Sequence, residues 1–272
     1  MDNTLVHEFL QRTQNTKSEN TFTTYSYHMK YWFPTEVVDL SPAFIDNKIG
    51  SWRKANTSMT TIVNRLRTLQ QFLNFLRDKE LTIPCYRELQ AIIHSVEPQD
   101  KIPVIATVEQ VEQALQEIKD LKYKAIISLL FFGGLRVSEV THLDSSDYNA
   151  TKGEILVRDP KNRRERIVRL EDSTIVYLDK YIAQERIHSC EALFTTTHGR
   201  ACTNTVQRQV TKYSGLNPHA FRHGSATYLL EQGIDLRLIQ DFLGHKSITT
   251  TQRYTHITNA RKDDIRNAFA KR

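Results

Sequence analysis

Apolar residues recur at helical spacing along most of this chain. The clearest run extends from about Thr57 to Arg77, where Ile62, Val63, Leu66, Leu69, Leu73 and Leu76 form one stripe, the pattern of a helix that buries a single face. From Leu5 to about Lys79 the pattern is helical throughout, with starts at Ser18 and at Ser41-Pro42. A serine oxygen satisfies an amide of the first turn, and proline at the first helical position gives up no hydrogen bond. Residues 1–80 therefore read as an all-helical module. Asn64, Arg65 and Arg67 fall off the apolar stripe and are expected on a solvated polar face.

Between Glu80 and Ala106 the periodicity fades, and Pro84, Pro98 and Pro103 interrupt a polar stretch, so residues 81–106 read as an interdomain linker. A second domain, residues 107–272, opens at Thr107, where a threonine cap followed three residues later by Gln110 makes a capping box. The apolar run from Ala125 to Phe132 predicts a buried helix that ends at Gly133-Gly134, and the turn beyond it delivers Arg136. Ile155 to Arg158 and Arg166 to Leu170 are short β-type runs around Asp159-Pro160-Lys161-Asn162-Arg163, which predicts a hairpin with Lys161 near its tip. After Glu171 the helical pattern resumes to the end, with turns at Gly199, at Gly215-Leu216-Asn217-Pro218 and at Gly233. In the tail, Ile265, Ala268 and Phe269 are spaced for one short apolar helix face. The expected fold class is mainly α with a small β-hairpin or sheet.

Length and charge narrow the partners. A chain of 272 residues is long for one compact domain and sufficient for two, and its formal net charge of +6 favours a polyanion, because clustered Lys and Arg neutralise phosphates and release counterions. Charge alone does not separate nucleic acid from membrane. The longest apolar stretch, Ala125 to Phe132, is far short of the roughly 20 residues a spanning helix needs, and the N-terminus has no signal-type apolar run. The expectation is a cytoplasmic protein with no membrane partner. Cys85, Cys190 and Cys202 are scattered, without a Cys-x-x-Cys spacing, as reduced thiols that pack as small apolar groups would be. The basic balance makes Arg53, Lys54, Arg65, Arg67 and Arg163 candidate phosphate contacts.

Candidate chemistry lies in the second half: Arg136, His219, Arg222, His245 and Tyr254. Two guanidiniums that keep their protons can hold the non-bridging oxygens of a phosphodiester and stabilise charge on a pentacoordinate phosphorus. Two imidazoles can handle protons near neutral pH, and a tyrosine can attack phosphorus covalently. The segment Ser247 to Thr258 around Tyr254 is polar and threonine-rich, unlike the setting of a core tyrosine. Lys161 is a candidate general acid for the departing 5′ oxygen, set against a reading of Lys161, Arg163, Arg164 and Arg166 as one solvated basic hairpin. A metal held by His219, His223 and His245 is the other alternative; the permanent charge of Arg222 among those ligands disfavours it. There is no glycine loop with Lys-Ser/Thr for nucleotide phosphates. The chemistry these residues suit is DNA strand cleavage.

Five strings occur in an order that resembles the tyrosine recombinase (phage integrase) family, including its Xer-like members. They are Gly134-Leu-Arg136-Val-Ser-Glu139, Lys161-Asn-Arg-Arg-Glu-Arg-Ile-Val, His219-Ala-Phe-Arg222-His223, Leu243-Gly-His245, and Tyr254 followed by Thr-His. The resemblance covers about Thr107 to Ile257 closely and the N-terminal helices loosely. It implies a helical, SAM-like core-site DNA-binding domain followed by an α+β catalytic domain with a tail helix, and it selects Lys161 as the lysine of the site. Glu139 is implied to be an orienting salt-bridge partner of Arg136. The implied reaction joins a DNA 3′ phosphate to Tyr254, passes through a Holliday junction in a tetramer bound to specific core sites on double-stranded DNA, and uses no cofactor. The tail is implied to pack on a neighbouring subunit. One departure is Gly224, where the family often has Thr or Ser; it is expected to loosen the helix behind Arg222. Two alternatives to recombination remain on the sequence: a strand-relaxing topoisomerase of related fold, and a non-catalytic DNA-binding regulator on the same scaffold.

Overall fold

The structure is a computed structural model that describes residues 3–33, 40–83, 85–96, 103–159, 164–187 and 190–244. The chain divides into two compact units, Met1–Lys101 and Ile102–Arg272.

The first unit is helical in all its described elements: α1 (Asn3–Thr16), α2 (Glu19–Trp32), α3 (Pro42–Lys54), α4 (Met59–Asp78) and α5 (Tyr86–Ser95). The anticipated starts are present. Ser18 caps α2 by accepting from the Thr21 amide, and Ser41 caps α3 ahead of Pro42; Ser58, not singled out in the sequence, caps α4. The stripe on α4 is buried as expected, and Phe72 and Phe75 widen it. Around it Phe9, Trp32, Ile45, Trp52 and Leu89 complete one core.

Two expectations for this unit are corrected. The stretch read as linker contains α5, whose Leu89 and Ile93 enter the core, and α5 contacts both α3 and α4. Its signal is weak in sequence because it has only 10 residues and begins after Cys85, not a capping residue type. Arg65 is not on a solvated face. It is 5% exposed, with its guanidinium carbon 3.7 Å from the Tyr31 ring centroid and 4.7 Å from that of Trp52, a cation–π arrangement. The reason is that α4 touches α1, α2, α3 and α5, so its covered surface is wider than one apolar stripe.

The second unit begins with α6 (Val108–Glu117), α7 (Leu121–Phe131) and α8 (Val137–His142), then a 3-10 turn at Ser145–Asp147. Next come β1 (Tyr148–Asn149), β2 (Glu154–Asp159), β3 (Arg164–Arg169) and α9 (Asp172–Gln184). A minimal hairpin of β4 (Thr195–Thr196) and β5 (Gly199–Arg200) leads to α10 (Thr203–Ser214), α11 (Pro218–Glu231) and α12 (Leu236–Leu243). The capping box of Thr107 and Gln110 forms in both directions. Strands β1, β2 and β3 make an antiparallel sheet in that order, and the β2–β3 pairing runs from Glu154↔Arg169 to Asp159↔Arg164. That register is the predicted hairpin; residues 160–163, with Lys161 and Arg163, lie outside the described residues. Helix α7 is buried on every side from Ala125 to Phe131, which marks it as the centre of the unit, with α6, α9 and α11 against it.

Gly224 has a packing role. It lies within α11, and a Cβ there would stand 2.0 Å from the carbonyl oxygen of Ala106, whose own amide donates to the Ala220 carbonyl at 2.9 Å. The missing side chain lets the segment before α6 lie directly on α11. Gly224→Ser is therefore expected to destabilise the protein by roughly 2 kcal/mol through overpacking; urea denaturation of the two proteins side by side measures it, and unchanged stability would mean the contact is not tight.

Candidate active site

Helix α7 ends at a turn that only glycine fits. Gly134 has a φ of 61°, and a Cβ on it would fall 2.6 Å from Phe242 and 2.8 Å from Leu243 side-chain atoms. Glycine adopts this conformation without steric cost, and its bareness lets the end of α12 close over the turn. The buried Leu135 then pins the chain and leaves Arg136 at the N-cap of α8.

Glu139, at the third position of α8, reaches back to that cap. Its carboxylate accepts from the Arg136 amide at 2.7 Å and from Arg136 Nη1 at 2.7 Å. Two more guanidiniums converge on it. Arg166, from β3, donates through Nη1 and Nη2 to the two oxygens at 3.0 and 2.9 Å, the fork-to-fork geometry that suits arginine. Arg222, from α11, has Nη1 at 3.7 Å. Burial alone would raise the Glu139 pKa, but the Arg166 hydrogen bonds and charge, the Arg136 amide and the Arg222 charge hold it down to about 2. One anion thus organises three cations that would repel one another without it.

Arg222 is 4% exposed. It donates to the carbonyls of Gly134 and Leu243, so it bridges the turn that carries Arg136 and the end of α12. Arg136 keeps a third of its side chain in solvent. His219, one turn before Arg222 on α11, reaches solvent, and partial burial followed by the charges of Arg222 and Arg136 lowers its pKa. The direction of that shift favours the neutral imidazole, which can accept a proton.

The structure therefore brings together Arg136, His219 and Arg222, with Glu139 beneath them. Lys161, His245 and Tyr254 lie outside the described residues. In the first unit Arg53, Lys54 and Arg67 are exposed, whereas Arg65 is committed to its two rings. Arg166 was not singled out from the sequence, where it reads as one more charge on a basic hairpin. The signal was available: side chains two apart on a strand share a face, so Arg166 lies on the face of the buried Val168 and opposite the buried Val157.

The phage integrase family model matches residues 105–261, more than half of the chain. The chain belongs to that family and is a tyrosine recombinase, an enzyme that breaks and rejoins DNA at specific sites. Among its relatives is the tyrosine recombinase XerD of Oceanobacillus iheyensis, 35% identical over 231 residues that cover 78% of this chain and 76% of that protein. The XerD of Staphylococcus haemolyticus is 32% identical, with 98% of each chain covered. A crystal structure of XerA recombinase covers 98% of both chains at 25% identity, with a TM-score of 0.56. The Tn1549 transposon integrase in complex with transposon right end DNA, 18% identical, shares the fold with a TM-score of 0.74 over 100% of this chain and 99% of that one. These relatives and neighbours are recombinases and integrases; none is a relaxing topoisomerase or a non-catalytic regulator.

Proposed function

We propose that Arg136 and Arg222 clamp the scissile phosphate of a DNA core site while Tyr254 attacks phosphorus, leaving the 3′ phosphate joined to the tyrosine and a free 5′ hydroxyl. The observation that carries this reading is the pair of arginines held on one buried carboxylate, with His219 one turn from Arg222 on the same helix. Two fixed cations suit a charge that grows on the phosphoryl oxygens, because they are oriented before the reaction begins. Lys161 protonates the leaving 5′ oxygen, and His219 and His245 exchange protons or hydrogen bonds with the tyrosine and the phosphate. The covalent bond conserves the energy of the phosphodiester, so rejoining needs no nucleotide cofactor. Arg53, Lys54, Arg67 and Arg163 contact phosphates of the duplex, and two core sites are exchanged within a tetramer through a Holliday junction. Trapping the protein on DNA and sequencing the attached strand tests the reading directly: a unique site joined through its 3′ phosphate to Tyr254 is expected, and attachment through another residue or to a 5′ end would overturn it.

Lys161→Ala is expected to slow cleavage roughly 100-fold on ordinary DNA, within the usual range for loss of a general acid, and far less where sulfur replaces the 5′ leaving oxygen. A thiolate departs without a proton. Equal defects on the two substrates would assign Lys161 to binding.

A further inference from the structure

The C-terminal end of α12 is held by two arginine side chains. Arg166 Nε donates to the Phe242 carbonyl at 3.0 Å while the rest of the same guanidinium forks onto Glu139. Arg222 takes the next carbonyl, that of Leu243, with Glu139 also within reach. Two cations thus sit at a helix C-terminus, whose unpaired carbonyls carry partial negative charge. The glycines at this end admit the arrangement. A Cβ on Gly134 would strike Phe242 and Leu243, and one on Gly244, whose φ is 64°, would come within 3.0 Å of Arg166 Nη1. Arg166 is mostly enclosed, with 15% of its side chain exposed.

All five donors of a guanidinium lie in one plane, so a single Arg166 can fix two acceptors relative to each other. Here those acceptors are the carboxylate that orients Arg136 and the last turn of α12. The chain leaves that turn at Gly244 and continues directly into His245 and, nine residues later, Tyr254. We propose that Arg166 is a positioning residue: it locks the C-terminal end of α12 to the Glu139 carboxylate, and so sets where the polypeptide bearing His245 and Tyr254 departs relative to the arginine clamp. This inference rests on the roles given above to Tyr254 and the two arginines. Arg166 itself touches no reacting atom, and the effect it exerts passes through a backbone carbonyl.

The test uses the full chain with Arg166→Met and Arg166→Lys, and Arg169→Gln as a control on the same strand, since Arg169 is 87% exposed. Two quantities are read. Hydrogen–deuterium exchange across residues 236–244 reports the tie itself: both Arg166 variants should exchange faster there, with α7 unchanged. Single-turnover cleavage of a suicide substrate reports its consequence. The rate constant for covalent adduct should fall roughly 100-fold, the size of loss that a small misplacement produces, while half-site affinity and final adduct yield stay at the wild-type level. A variant that is merely misfolded would lose yield and affinity instead. Lysine retains the charge but cannot fork onto the carboxylate and reach the Phe242 carbonyl together, so it should not restore the rate. Wild-type exchange at 236–244 in both variants, or a wild-type rate in Arg166→Lys, would overturn the proposal. If Arg166→Met does not fold, Arg166→Lys decides on the same two readouts. A wild-type protein that forms its adduct through a residue other than Tyr254 would count against the reading of the nucleophile, and the exchange measurement would still decide the tie.

Discussion

Tyr254→Phe should form no covalent adduct with DNA while binding a half-site as tightly as the wild type. The substitution removes one hydroxyl and leaves Arg136, Arg222 and the helical N-terminal unit intact. A phenol has a reference pKa of about 10, so its attack on phosphorus depends on neighbouring charge and a proton acceptor, and no other group of the site takes its place as a nucleophile. The expected loss is complete within the limits of a denaturing gel. Gel shift on the same DNA provides the control. An adduct at undiminished yield would remove Tyr254 from its role, and lost affinity would show that the hydroxyl serves binding.

Removing either clamp arginine should lower the single-turnover cleavage rate by about 10³-fold, the upper end of what one missing donor to a developing oxyanion costs, yet the two variants should differ in stability. Arg136 is partly exposed and its side chain is hydrogen-bonded to Glu139. In Arg136→Ala the Glu139 carboxylate keeps the backbone amide of residue 136 and the Arg166 fork, so this variant should melt closer to the wild type than Arg222→Ala. Arg222 is buried and ties Gly134 to Leu243, so Arg222→Ala strands two carbonyls. Buried groups left without partners cost about 1–3 kcal/mol each, and thermal melting should show it. Equal melting temperatures for the two variants would mean that Arg222 does not brace the fold. Cleavage that survives either substitution would contradict the clamp.

Much of this architecture could be read without coordinates wherever the deciding physics is local. The serines at 18 and 41 and the capping box at Thr107 act on amides within three residues, and the hairpin depends on neighbours that the turn brings together. The same holds for Gly134, whose turn presents Arg136. Where the reading failed, contacts between elements decided. Helix α5 has little periodic signal of its own and exists because α3 and α4 cover Leu89 and Ile93. Arg65 looks polar on a helical wheel but is buried because Tyr31 and Trp52 arrive from two other helices.

The sequence by itself determined the helical class, the helix starts at Ser18, Ser41 and Thr107, the hairpin and the family, since each depends on side-chain type and short-range spacing. The tertiary structure alone decided that Arg166 pairs with Glu139 and that Gly224 is a close-approach point. It also decided that Arg222 ties the turn at Gly134 to the end of α12. The two arginine placements arise from partners 27 positions apart for Arg166 and Glu139 and 88 for Arg222 and Gly134. No periodicity encodes such pairs; the packing of β3, α8, α11 and α12 around one buried carboxylate creates them.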